Sequence, residues 1–243
     1  MIKLSEISTK PPAEADEQKI KKLTDDLSER IGDLNEIMRA QRKHSLLVIL
    51  QGMDGSGKDG AVKKVFKDCT HFNLSVYAFK KPTEIEFGHD FLWRVHQQVP
   101  SKGDIKIFNR SHYEDILVQR VHRWIDEERV EKRMAAINAF EELIVFDNNT
   151  TILKFYLHIS EKEQKKQLQE RIDEADKRWK HNDGDWKERE HWDEYMRCYE
   201  YAINQSNIPW TIVPVDERWY RDYIIAQKVC DAMEAMNLQY PAE

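Results

Sequence analysis

Five aliphatic residues in succession, Leu46, Leu47, Val48, Ile49 and Leu50, end at a turn signal. An unbroken run of this kind reads as a strand buried on both faces of a parallel sheet. Further strands are predicted over residues 74–79, 104–109, 151–159, where Leu153, Phe155 and Leu157 alternate, and 210–215. Between them the apolar period lengthens to three and four. In residues 14–43, Ile20, Leu23, Leu27, Ile31, Leu34, Ile37 and Met38 form one stripe of an amphipathic helix, with Gly32 its weak point. Helices are also expected over 59–68, 89–99, 130–146 and 219–236, and Ser160-Glu161-Lys162-Glu163 reads as a capping box opening another. Residues 1–13, with Pro11 and Pro12, read as a loose arm. Strands alternating with helices predict an α/β fold, a three-layer sandwich around a parallel five-stranded sheet. Residues 1–45 would form an arm and helix, and 46–243 the main domain.

The first strand runs into Gly52-Met53-Asp54-Gly55-Ser56-Gly57-Lys58-Asp59, and a helical pattern follows. Strand, Gly-x4-Gly-Lys and helix in that order make a phosphate-binding loop, so the sandwich is expected to be P-loop kinase-like. Glycines let the backbone N–H groups of Gly52 to Asp59 curl round an anion, Lys58 reaches the outer phosphates, and the helix dipole favours negative charge. Two positions depart from the common pattern. The Ser or Thr that usually follows the lysine is Asp59, and Asp54 puts a carboxylate inside the loop. A carboxylate facing polyphosphate calls for a cation between them, which makes Asp54 the expected magnesium ligand, unless it merely caps the turn.

Ligands in parallel sheets bind beyond the carboxyl ends of strands. Lys80 and Lys81 follow the second strand, either facing phosphate or lying solvated. The third strand ends at Asn109, where such enzymes normally carry an aspartate that holds magnesium through water. Arg110 comes next, a planar fork suited to phosphate oxygens, and Arg120 and Arg123 would extend the positive surface. From Ser160 to Asn204 the chain is dense in charge and tryptophan and is interrupted by Asn182-Asp183-Gly184. That is the pattern of a helical lid over a phosphate site, or of a salt-bridged surface hairpin.

Composition narrows the function. A net charge of -6 over 243 residues disfavours nucleic-acid binding, so a polyanionic substrate needs a local basic patch. Cys69, Cys198 and Cys230 are scattered, with no Cys-x-x-Cys pair, which argues against a disulfide frame or a zinc site and for a reducing cytoplasm. No apolar stretch has the length of a signal-peptide core or a membrane span, so no membrane partner is expected.

Beyond the loop, four further stretches resemble the polyphosphate kinase 2 family: 89–94, 108–115, 152–160, and Arg171 with Trp179, Lys180 and Asp185, to which Pro214 with Trp219 and Tyr220 can be added. The resemblance covers nearly all of 46–225. It implies transfer of a phosphoryl group between inorganic polyphosphate and AMP, ADP or ATP, with Mg2+ required, Mn2+ a substitute, guanine nucleotides as further acceptors, and a homodimer or homotetramer. By matching position it implies that Asp54 holds magnesium, that Lys58 and Arg110 clamp the transferring phosphate, and that Arg171 and Asp185 are lid residues completing the site at about 160–205. Asn109 is similar to the subgroup that accepts both mono- and diphosphates, whereas Glu174-Ala175 replaces the family's frequent Asp-Pro in the lid.

The chemistry of the residues agrees. Phosphoryl transfer needs in-line positioning and charge neutralisation rather than a covalent nucleophile. The nearest rival is an ATP-dependent nucleoside monophosphate kinase, against which Asp54 and the Lys80-Lys81 pair suggest a donor longer than ATP. A GTP-binding switch would need an Asn-Lys-x-Asp guanine reader, which the chain lacks. A phosphate sensor would explain the departures at Asp59 and Asn109 as lost catalysis.

Overall fold

The computed structural model describes residues 1–242. Strands β1 (Ser45–Gln51), β2 (Leu74–Ala78), β3 (Ile105–Asn109), β4 (Thr150–His158) and β5 (Trp210–Pro214) form one parallel sheet in the order β2-β3-β1-β4-β5. The aliphatic run is the central strand, Val48 lying between Ile107 and Leu153. Its pleat sends Leu46, Val48 and Leu50 to one face of the sheet and Leu47 and Ile49 to the other. Each of these fully buried side chains contributes about 1.5–3 kcal/mol relative to exposure.

In chain order the helices are α1 (Glu17–Gln41), α2 (Lys58–Val65), the single turns α3 (Glu84–Phe87), α4 (Trp93–His96) and α5 (Val118–Val121), then α6 (Glu127–Asn148), α7 (Glu161–Asp173), α8 (Asp183–Glu188), α9 (Trp192–Gln205) and α10 (Arg218–Ala235). α1, α2 and α10 pack together over the larger core, while Phe140 and Ile144 of α6 and Val95 of α4 close the other face. Among the described residues no helix is long and apolar enough to cross a membrane. The three cysteines are all buried and free.

Several elements differ from the sequence reading, each for a tertiary reason. α1 runs unbroken through Gly32, because the glycine serves a close approach rather than a break: a Cβ there would stand 2.7 Å from the Asp68 carbonyl oxygen. The loose arm is docked. Leu4 is buried, Ile2 and Leu4 donate backbone hydrogen bonds to Asn204 and Glu200, and Asp216 N donates to Thr9 O. The helix expected over 89–99 is only α4, preceded by a turn in which Asp90 Oδ1 accepts from Leu92 N. Arg94 is buried there. Half of the predicted capping box forms: Ser160 Oγ accepts from Glu163 N, but Ser160 N donates to Asp216 instead.

Candidate active site

The loop between β1 and α2 takes its shape from three positive-φ glycines, Gly52 (149°), Gly55 (87°) and Gly57 (84°). Gly52 also has no room for a side chain, since a Cβ would lie 2.7 Å from the Leu157 carbonyl oxygen. Lys58 opens α2 and folds back under the loop, its Nζ donating to Gly52 O at 2.7 Å and Met53 O at 3.3 Å. Only 8% of this lysine is exposed. Burial pulls its pKa down to about 8, with Asp54 partly resisting.

Asp54 accepts a 2.5 Å hydrogen bond from Arg110 Nη2, and Glu114 stands 3.8 Å from the same guanidinium. Burial alone would raise the Asp54 carboxyl, but Arg110 and Lys58 hold it below the usual carboxylate range. Beneath, Glu114 is pushed up by burial, against the pull of Arg110. Arg110 itself has a left-handed backbone, φ 60°. Asn109 donates to Asp59 at 2.5 Å, and Lys180 Nζ lies 3.6 Å from the same carboxylate. From the helical segment opposite, Arg171 donates to Asp185 at 2.6 Å. Burial and the Asp54 charge raise the Asp185 carboxyl, with Arg171 opposing.

All of these groups except Glu114 and Asp185 border a cleft of about 600 Å³ beyond the carboxyl ends of β1, β2 and β3. Its walls carry Lys58, Lys80, Lys81, Arg110, Arg171, Lys177, Lys180, Arg218 and Arg221 against two carboxylates, Asp54 and Asp59. An acidic chain thus concentrates positive charge at one place, a field suited to a polyanion. Gly55, Gly57 and Asn109 line the cleft as well. Gly52, Met53 and Ser56 are the buried residues of the loop, Ser56 Oγ without a hydrogen-bond partner, and Asp185 reaches the cleft through Arg171. Arg120 borders neither this cleft nor the next cavity. It is spent on Glu127 and on the face of Tyr201, 4.5 Å from the ring centre, which corrects its placement among phosphate-binding residues.

The sequence reading missed Lys177, Arg218 and Arg221. The last two lie in the first turn of α10, where the chain leaves β5, so the rule that picked out Lys80 and Lys81 would have found them. The buried Arg221 guanidinium packs against the loop, and a Cβ on Gly57 would fall 2.1 Å from its Nη1. Also unforeseen was the use of Arg94: its Nη1 donates to Lys80 O at 2.9 Å and its Nη2 pairs with Asp115 at 3.2 Å, so a buried ion pair shapes the two-lysine loop.

A second cavity of about 730 Å³ adjoins the first and shares Phe79, Lys80, Lys81 and Arg110 with it. Here the walls include Phe87, Phe91, Trp124 and Ile125. A basic cleft and an aromatic-walled cavity therefore meet at Arg110, beside Lys80 and Lys81.

Comparison with known proteins gives this arrangement its relatives. A family model described as Polyphosphate kinase 2 (PPK2) matches residues 14–241. The AMP/ADP-polyphosphate phosphotransferase of Meiothermus ruber is 44% identical over 218 residues, covering 88% of this chain and 81% of that one. The ADP-polyphosphate phosphotransferase of Rhodopseudomonas palustris is 36% identical over 228 residues, 88% of this chain and 78% of that one. The crystal structure of polyphosphate kinase 2 from Arthrobacter aurescens TC1 superposes with a TM-score of 0.96 at 37% identity, over all of this chain and 88% of that one. With the family model matched over residues 14–241 and relatives at 44% and 36% identity over most of both chains, the chain belongs to the polyphosphate kinase 2 family.

Proposed function

We propose that this chain moves a phosphoryl group between inorganic polyphosphate and adenine nucleotides, accepting both AMP and ADP and able to run in reverse from ATP. The observation that carries this reading is the junction of the two cavities at Arg110. Polyphosphate would lie along the basic cleft, and the nucleoside would stack in the aromatic-walled cavity, a setting suited to a flat ring. Arg110 then faces the transferring group where the two substrates meet, while Lys58 and the N-terminus of α2 neutralise the charge that develops. Arg171, Lys177 and Lys180 would close from α7 and its following turn as a lid.

A divalent cation, Mg2+ or Mn2+, fits the residues present. Among the described residues no three acidic, histidine or cysteine side chains converge to hold a metal unaided. Asp54 uses one oxygen on Arg110, leaving the other for an ion that brings phosphate and water oxygens with it, as magnesium commonly does. Asn109 would act through water, although its amide is turned to Asp59. Bound there, the ion would draw negative charge from the phosphoryl oxygens.

The test is direct. Purified protein with AMP or ADP, magnesium and either long polyphosphate or ATP should make ADP and ATP from polyphosphate. Added salt should weaken polyphosphate binding much more than AMP binding, because each ionic contact competes with counterions. Lys80→Ala with Lys81→Ala should weaken the polymer more than the nucleotide. Use of ATP as donor to AMP, with polyphosphate inert at every salt concentration, would make the chain a nucleoside monophosphate kinase instead.

The buried lysine adds a pH signature. In the free enzyme Lys58 gives up its proton near pH 8, so kcat/KM for polyphosphate should fall as pH rises through about 8. Bound phosphates hold the proton on, so kcat should stay level to higher pH. A kcat/KM flat to about pH 10 would remove Lys58 from the phosphate contacts.

A further inference from the structure

A group of charged and polar side chains lies wholly inside the fold, apart from the cleft. Lys154 on β4 is 1% exposed, and Glu141 on α6, His112 and Tyr113 are 0% exposed. Lys154 Nζ meets Glu141 Oε2 at 2.6 Å and donates to Tyr113 OH at 2.7 Å, while Tyr113 OH donates to Glu141 Oε1 at 3.0 Å. His112 Nε2 stands 3.4 Å from the same Glu141 oxygen. Tyr113 OH also lies 3.1 Å from Ser206 Oγ, at the end of α9.

Stability does not account for such a group. A buried ion pair gives up hydration that its own attraction barely recovers, and well-packed apolar replacements are often neutral or stabilising. Position accounts for it better. Arg110 lines both cavities and Glu114 the second, and the three residues between them, Ser111, His112 and Tyr113, are all buried. Ser111 Oγ accepts from Gln51 Nε2 at 3.0 Å, and His112 and Tyr113 enter the cluster. The left-handed backbone of Arg110 is strained for a side chain with a Cβ and persists only where its surroundings fix it. We propose that the buried Lys154–Glu141 pair, acting through Tyr113, is a positioning device that holds Arg110 at the junction of the two cavities.

This rests on Arg110 acting on the transferring phosphate, and the experiment separates the two ideas. The variants are Tyr113→Phe and the paired Lys154→Met/Glu141→Leu, each alone and combined with Arg110→Ala, with folding checked by near-ultraviolet circular dichroism. With Arg110 present, each should lower kcat by about ten- to a hundredfold, the effect of misplacing a reacting contact by a fraction of an ångström to an ångström, with KM for polyphosphate nearly unchanged. In the Arg110→Ala background the same changes should cost almost nothing further. Tyr113→Phe keeps the ring and carries the test if the paired variant does not fold. A folded variant with normal kcat, or an equal loss in both backgrounds, overturns the positioning role while leaving Arg110 at the phosphate. An Arg110→Ala enzyme of normal rate overturns the role of Arg110 and the positioning proposal with it.

Discussion

Lys58→Met yields a folded protein whose phosphoryl transfer is slower by at least about a hundredfold, the scale of removing one preorganised electrostatic donor. The substitution isolates charge from shape, because methionine fills a similar buried channel without the ammonium. Stability should hold or improve. The unfolded chain keeps the Lys58 proton up to about pH 10.5 and the folded one only to about 8, so burial of the cation is a cost at neutral pH. In that window the unfolded state binds more protons, and the wild-type protein therefore gains stability from this group as pH rises from about 8 to 10.5. The methionine variant lacks that rise. Turnover within a few fold of wild type in the folded variant would dissolve the phosphate-loop assignment.

Asp54→Asn should be nearly as damaging at ordinary magnesium, by at least about a hundredfold. Asparagine keeps the size of the side chain and can still accept from Arg110, but it loses the charge a divalent ion needs. Excess magnesium should restore part of the rate, since the phosphates themselves still bind the ion. Asn109→Ala should cost less, because its amide already turns to Asp59 and can only orient water. Equal losses in the two variants, with no response to magnesium, would make Asp54 a structural partner of Arg110 alone.

The central strand and its loop were legible because their signals are local. Five aliphatic residues need burial on both faces, and three glycines adopt dihedrals that few other residues can, so neither depends on distant chain. The same holds for Asp54, Lys58 and Arg110, whose positions relative to strand ends follow from the topology. What was not legible is made by partners far apart in sequence. Gly32 looks like a helix breaker until Asp68 is seen against it, and Pro11-Pro12 suggest a free arm until Leu4 is found under α9. Arg120 and Arg221 are both basic residues on helices. Only packing shows that one is spent on Glu127 while the other supports the loop. Lys154 falls between Leu153 and Phe155, in an alternation that sends it to the opposite face, and nothing local tells that Glu141 waits for it there.

Most cations of the cleft already hold a carboxylate: Arg110 has Asp54, Arg171 has Asp185, Lys180 faces Asp59, Lys177 has Glu170 and Arg221 has Asp222. Each carboxylate is a resident competitor, tethered at an effective concentration that a small free anion cannot match. Orthophosphate or chloride displaces one at a time and gains little. A long chain of linked phosphates displaces several in a single event, its later contacts made intramolecular by the first. The expected consequence is a threshold: several linked phosphates can exchange resident carboxylates together where a simple anion exchanges only one.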